Sequence, residues 1–250
     1  MKLAWESQGE GAPVLLVHGL GYTREGWGPL RGLLARRFRV LSYDNRGIGE
    51  SEIAPGPYTV AQLADDAAQV LDEAGVDRAH VVGASLGGMV AQLLAAEQPE
   101  RVDRLVLVGT TPGGGAAFPL PQQTLALMAE AASLPPEVAL RRFVENALAP
   151  GSSLVDEVFA YRQLHPPDPA GWAAQAAAGV GWDADGRLVR ITAPTLVVAG
   201  AADAVVDPRN AQLLADAIPH ARLELIDGAG HLPFWERAEE FATLVEEFLG

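Results

Sequence analysis

Short apolar runs recur along this chain, and each stops at or near a glycine or an aspartate. Val14–Val17 ends at His18-Gly19, Arg39–Tyr43 at Asp44, and Ala79–Val82 at Gly83. Arg104–Val108 ends at Gly109, Thr195–Ala199 at Gly200, and Arg222–Ile226 at Asp227. Strands apolar on both faces are what a parallel sheet covered by helices demands. Longer segments of helical period lie between them. Thr59–Ala74 is apolar at Val60, Leu63, Ala64, Ala67, Val70, Leu71 and Ala74. Leu86–Gln98 stops before Pro99. Pro208–Ala217 follows Asp207, a residue type that caps helices, with Pro208 at the first helical position. Ala238–Leu249 closes the chain. The alternation predicts an α/β fold with a mostly parallel sheet.

The rhythm breaks between Pro112 and about Arg190. Gly113-Gly114-Gly115 is a flexible entry, and no strand pattern follows it. Helical stretches are expected near Gln122–Ala132, Glu137–Leu148, Leu154–Gln163 and Gly171–Ala178, with a break at Pro166-Pro167-Asp168-Pro169. This reads as a helical cap over residues 112–190, inserted into a core made of residues 1–111 and 191–250. It would lie over the carboxyl edge of the sheet.

Composition narrows the function. The chain has 250 residues, enough for one domain with a small insertion and a large core. Its 49% apolar and 20% charged residues argue against disorder. The formal charge of −14 opposes binding to nucleic acid or to an anionic membrane. There is no cysteine, so disulfides, thiolate catalysis and cysteine–zinc sites are excluded. No apolar signal core opens the chain. The uncharged stretch Leu105–Ala129 is interrupted by glycines and prolines and makes a poor membrane helix. A cytoplasmic protein, monomer or homodimer, acting on a small molecule is the expectation.

The sharpest local signal is Gly83-Ala84-Ser85-Leu86-Gly87-Gly88, which follows a strand and opens a helix. This is the context of a nucleophile elbow, where a serine sits on a strained turn at the end of a strand. The helix N-terminus behind it offers free N–H groups to a developing oxyanion. A serine hydroxyl needs an adjacent base. In this architecture the order is serine, acid, histidine. His231, in Gly228-Ala229-Gly230-His231, lies just past the last strand and fits that order. His18 precedes the serine and suits a structural or oxyanion-loop role. His80 and His220 fall on the far side of the sheet, and His165 belongs to the insertion as a surface residue. The acid should end a strand between Ser85 and His231. Asp203 does, in Gly200-Ala201-Ala202-Asp203, while Asp207 looks more like a helix cap. The oxyanion hole would use the N–H of Leu86 and a second N–H from His18-Gly19-Leu20-Gly21, with Leu20 the choice.

Together these motifs resemble the α/β-hydrolase family, as do Asp44-Asn45-Arg46-Gly47-Ile48-Gly49-Glu50-Ser51 and the continuation Met89-Val90-Ala91. The resemblance covers essentially the whole chain. It implies an eight-stranded, mostly parallel sheet with a helical cap after the sixth strand. It also places nucleophile, acid and base on Ser85, Asp203 and His231, and oxyanion donors on Leu20 and Leu86. Within the family the chain is most similar to small carboxylesterases and the 3-oxoadipate enol-lactonase-like branch, although Ile48 stands where many members have histidine. Dehalogenases and epoxide hydrolases use an aspartate where this chain has Ser85. Proline iminopeptidases have tryptophan at Leu86, and carbon–carbon bond hydrolases have asparagine at Ala84.

The expected chemistry is hydrolysis of a carboxylic ester or lactone through an acyl-enzyme, with no metal and no organic cofactor. Perhydrolase or haloperoxidase-type acyl transfer is the second reading, and a small-molecule receptor on the same fold the third. Phe118, Leu120, Met128, Phe143, Tyr161, Trp172 and Trp182 are available to line the substrate pocket. A substrate carboxylate would want an arginine, and Arg46, Arg141, Arg142 and Arg162 stand open as candidates.

Overall fold

In the computed structural model, which describes residues 1–131 and 133–250, the apolar runs lie side by side in one sheet. Its strands are β1 (Trp5–Gln8), β2 (Ala12–Val17), β3 (Phe38–Tyr43), β4 (Ala79–Ala84), β5 (Val102–Val108), β6 (Thr195–Gly200) and β7 (Ala221–Ile226). The spatial order is β1-β3-β2-β4-β5-β6-β7. Every neighbouring pair is parallel except β1 with β3, which is antiparallel.

The sheet has seven strands, not the eight implied by the resemblance. Six are the runs read from the sequence. The seventh, β1, is a half-exposed edge strand of four residues, too short and too polar to announce itself. The residues ahead of it, 1–4, join no ladder. The helical insertion therefore follows the fifth strand in chain order, not the sixth.

Successive strand residues face opposite sides of the sheet, and both sides are covered. On one side Val14, Leu16, Val82, Val106 and Val198 pack with Trp27, Phe234 and Phe241. On the other, Leu15, Val17, Val81, Leu105 and Val197 pack with Leu63, Val70, Leu94 and Leu214. The first side carries the short helix α1 (Leu30–Leu34). The second carries α2 (Val60–Glu73) and α3 (Leu86–Glu97). A capping box opens α2. Thr59 Oγ1 accepts the Gln62 N–H (3.2 Å) and Gln62 Oε1 accepts the Thr59 N–H (3.0 Å).

Four helices fill the segment between β5 and β6: α4 (Gln122–Ala131), α5 (Pro136–Ala147), α6 (Val155–Leu164) and α7 (Pro169–Val180). The proline-rich break is the start of α7. Asp168 Oδ1 accepts the N–H groups of Ala170 and Gly171 at 2.9 Å, and Pro169 takes the first position. An antiparallel bridge between Gly113 and Asp183 closes the neck of the segment. The segment is tied to the core by Tyr58 N–H to the Ala174 carbonyl (3.1 Å) and Gln175 Nε2 to the Arg46 carbonyl (2.9 Å). After β6 come α8 (Arg209–Ala217), which joins the α2–α3 side, then α9 (Pro233–Glu236) and α10 (Ala238–Leu249) on the side of α1. Because β2 to β7 are parallel, the loops after β2, β4, β5, β6 and β7 gather at one edge, the place where open α/β sheets present ligand sites.

Candidate active site

Ser85 sits between the last residue of β4 and the first of α3, with φ +54° and ψ −119°. Among the described residues it is the one non-glycine residue with positive φ. Such a conformation costs about 1–3 kcal/mol and persists only where the surroundings impose it. Here the Ser85 N–H donates to the Val108 carbonyl (2.9 Å), and the Ser85 carbonyl accepts Thr110 Oγ1 (2.7 Å) and the Gly88 N–H (2.9 Å). The flanking glycines are there for space. A Cβ on Gly83 would lie 2.7 Å from Ala91 Cβ, and one on Gly87 would run into the Val17 carbonyl. A Cβ on Gly19 would stand 3.0 Å from Ser85 Cβ, so the loop after β2 lies against the serine.

In that loop the Gly19 N–H is taken by His18 Nδ1 (2.7 Å) and the Gly21 N–H by Gln175 Oε1 (3.1 Å). The Leu20 N–H between them donates to no group among the described residues, and nor does that of Leu86 in the first turn of α3. His18 itself is buried, and burial pulls its pKa down to about 3, with the Arg162 charge a smaller contribution in the same direction. Its ring is therefore neutral, and since Nδ1 accepts, the proton is on Nε2. The ring is stacked on Tyr22 with centroids 4.6 Å apart.

Asp203 and His231 come from the loops after β6 and β7. Their contact, His231 Nδ1 to Asp203 Oδ2, is 2.7 Å, and both are buried. Asp203 Oδ1 accepts the N–H groups of Val205 (2.8 Å) and Val206 (2.9 Å), which aims the other oxygen at the ring. Asp207 is spent elsewhere. It accepts the Arg209 N–H (3.0 Å) and pairs with the Arg209 guanidinium, which holds its carboxyl below the usual range. Gly109 makes room for the pair, since a Cβ there would sit 3.1 Å from His231 Nδ1 and 3.2 Å from Asp203 Oδ2.

Ser85 and His231 open on one cavity of about 490 Å³, covered by the helical segment. Three of the expected lining residues border it: Met128, Phe143 and Trp172. Three do not. Phe118 lies under the Arg209 guanidinium, 4.0 Å from its ring centre, and its backbone is bonded to the Asn210 amide. The Tyr161 hydroxyl bonds Thr23 N–H (3.2 Å) and Oγ1 (3.0 Å), and burial lifts its pKa to about 12. Trp182 sits at the neck, against Gly113. Leu120 is an exposed side chain outside this lining, and His165, expected on the surface, is half-buried against the Tyr161 ring at 4.8 Å.

The family model of the alpha/beta hydrolase fold matches residues 12–238. This chain belongs to the α/β-hydrolase family. A 2-hydroxymuconate semialdehyde hydrolase of Pseudomonas putida is 35% identical to it over 257 residues, covering 97% of this chain and 88% of that protein. Among solved structures, a hydrolase from Pseudomonas aeruginosa PA01 matches with a TM-score of 0.85 at 36% identity, over 99% of this chain and 94% of that one. The enol-lactonase from Burkholderia xenovorans LB400 matches with a TM-score of 0.86 at 30% identity, over 99% and 96%.

Several residues of this α/β hydrolase's site escaped the sequence reading. Glu236 accepts the Gly230 N–H (2.6 Å) and the Ala149 N–H (2.8 Å), and His231 N–H donates to the Ala147 carbonyl (2.8 Å). The histidine loop is thus fastened to the end of α5. Thr124 and Asn146 put polar groups on the cavity wall, bonded to each other at 2.7 Å. None of these stands in a motif, and only the fold brings them to the site. Among the described residues no group of three or more His, Cys, Asp or Glu side chains is placed to hold a metal ion, and no helix is long and apolar enough to cross a membrane.

Proposed function

We propose that this α/β hydrolase cleaves a carboxylic ester or lactone of small to medium size through an acyl-enzyme on Ser85. The observation that carries the reading is the strained Ser85 sharing a cavity with His231, whose other ring nitrogen is 2.7 Å from a buried aspartate. Ser85 Oγ attacks the carbonyl carbon while His231 takes its proton. Asp203 holds the imidazole tautomer and stabilises the imidazolium. The N–H groups of Leu20 and Leu86 receive the oxyanion, a role supported by their lack of other acceptors. His231 then protonates the leaving alkoxide, and water, activated by the same histidine, releases the acid. The steps draw on no metal or organic cofactor.

Residues 112–190 act as the lid in this reading, supplying Met128, Phe143 and Trp172 to the acyl side. Overall similarity does not choose among reactions, because relatives of comparable identity are named for a semialdehyde and for an enol-lactone. The turn residue Ala84 and the apolar wall favour simple acyl transfer.

The test is hydrolysis of 4-nitrophenyl esters of increasing acyl length by wild type and Ser85→Ala. Turnover with a length optimum, abolished by the substitution, supports the reading. Equal turnover by both proteins rejects the serine mechanism. Faster transfer to hydrogen peroxide than to water on the same ester would move the assignment to perhydrolysis.

A further inference from the structure

Four arginines could have met a charged substrate, and the structure separates them. Arg46 is bidentate to Asp66, with both contacts at 2.6 Å. Arg141 pairs with Asp156 (2.7 Å) and Glu145 (3.3 Å), and Arg142 with Glu130 (2.8 Å). Arg162, near the end of α6, borders the active-site cavity and has no carboxylate within ion-pair distance among the described residues.

The surroundings of Arg162 are unusual for a half-buried cation. Its Nη1 donates to the Gly21 carbonyl (2.6 Å), and its guanidinium lies 4.2 Å from the centre of the Tyr22 ring. Its charge acts on His18, Tyr22 and Tyr161. All three are neutral at ordinary pH, since burial holds the histidine deprotonated and both phenols protonated. A guanidinium carries five N–H donors, and among the described residues one is used. In a chain with 32 acidic residues against 18 basic ones, a cation left without a carboxylate beside the nucleophile stands out. Buried charge is normally paired.

We infer that Arg162 is the anion-recognising residue of the site, and that the preferred substrate is an ester or lactone that also carries a carboxylate. Arg162 contacts Gly21, one residue past the Leu20 oxyanion donor. A carboxylate bound there is fixed relative to the reacting carbonyl, and its charge is met by a fork suited to bidentate pairing. Trp172, over Gly21, borders the same end of the cavity. The acyl chain runs towards Met128 and Phe143. This inference rests on the esterase or lactonase reading above and names its substrate class.

The experiment uses 4-nitrophenyl half-esters of glutaric, adipic, pimelic and suberic acids, each paired with the neutral alkanoate of the same length. The readout is the ratio of kcat/KM, charged over neutral, in wild type, Arg162→Gln and Arg162→Lys. The ratio is internal, so any inactive fraction of a variant cancels. At the best chain length it should fall about 10- to 100-fold in Arg162→Gln, mainly through KM, and recover in part in Arg162→Lys. Added salt should lower it in wild type. A ratio that Arg162→Gln leaves unchanged at every length overturns the inference. Calorimetry of the free diacids against the diamides on Ser85→Ala requires no turnover. Tighter binding of the diacids is expected, and equal binding overturns the inference even if Arg162→Gln fails to fold. Ser85→Ala that still hydrolyses the esters defeats the serine mechanism alone, because the charged-to-neutral ratio remains readable.

Discussion

The carboxyl ends of the central strands and the helices that cover them are built to different standards. All six residues of β4 and all six of β6 are buried, Ser85 follows β4 directly, and Asp203 lies in the loop just after β6. In α6, Val158 is the one buried residue, and in α4 only Thr124 and Leu127 are buried. Leu125, Met128, Val138, Phe143 and Leu164 are apolar and exposed on the covering side. In the proposed function, chemistry that needs reacting groups held within about half an ångström falls on the well-packed element. Fit to a substrate is placed on the loosely packed one, where sequence can change without loss of the fold.

That contrast can be broken most directly at the proposed triad. Ser85→Ala or His231→Ala should lower ester turnover by about 10⁴–10⁶-fold with little change in melting temperature, and Asp203→Asn by about 10⁴-fold. Steady-state rates alongside thermal unfolding decide this. A comparable loss of rate from any single covering side chain would show that the catalytic machinery is not confined to the sheet edge.

A second test compares packing. Leu15→Ala in β2 removes a fully buried side chain and should cost about 2–5 kcal/mol. Leu125→Ala on α4, half exposed, should stay within about 0.5 kcal/mol. Urea unfolding of both variants measures the difference. Similar costs would mean that the covering helices fold as tightly as the sheet.

The seam between the regions is His18, packed under Tyr22 with Arg162 beyond it. Its pKa is about 3 in the folded protein against 6.5 ordinarily. Between those values the unfolded chain takes a proton that the folded chain refuses. Stability contributed at this position is intact above pH 6.5 and is lost as pH falls, by up to about 1.4 kcal/mol per pH unit. His18→Asn should flatten that part of the stability–pH curve measured by denaturant titration between pH 7 and 4. An unchanged slope would remove His18 as its source. The smallest effect on catalysis is expected from Phe143→Ala. It should shift the preferred acyl length and change kcat/KM for the best ester by about 10-fold, a loss of one apolar contact in a pocket.

The order of elements was readable because its signals are local. Five of the six runs became strands buried on both faces, the sixth became the half-exposed edge strand β7, and the helical period of Thr59–Ala74 survives as α2 with a capping box at its first turn. β1 was missed because an edge strand with Glu6 and Ser7 has no pattern to show. The candidate site was half readable. Ser85, Asp203 and His231 follow from chain order and from the glycines around them, and their roles remain the proposal made above. The preference for Asp203 over Asp207 rested on capping habits, and the structure adds the Arg209 pairing that occupies Asp207.

The sequence by itself determined the α/β alternation, the absence of any thiol chemistry and the serine–histidine pairing worth testing. Each of these depends on neighbours in the chain or on composition. Only the tertiary structure decided which aromatic residues meet the cavity, which arginine lacks a carboxylate, and that Glu236 fastens the histidine loop to α5. Those facts depend on contacts between segments far apart in sequence, such as Gly21 with Arg162 and Asp203 with His231. Such contacts are set by how helices pack over a sheet, and no local pattern encodes them.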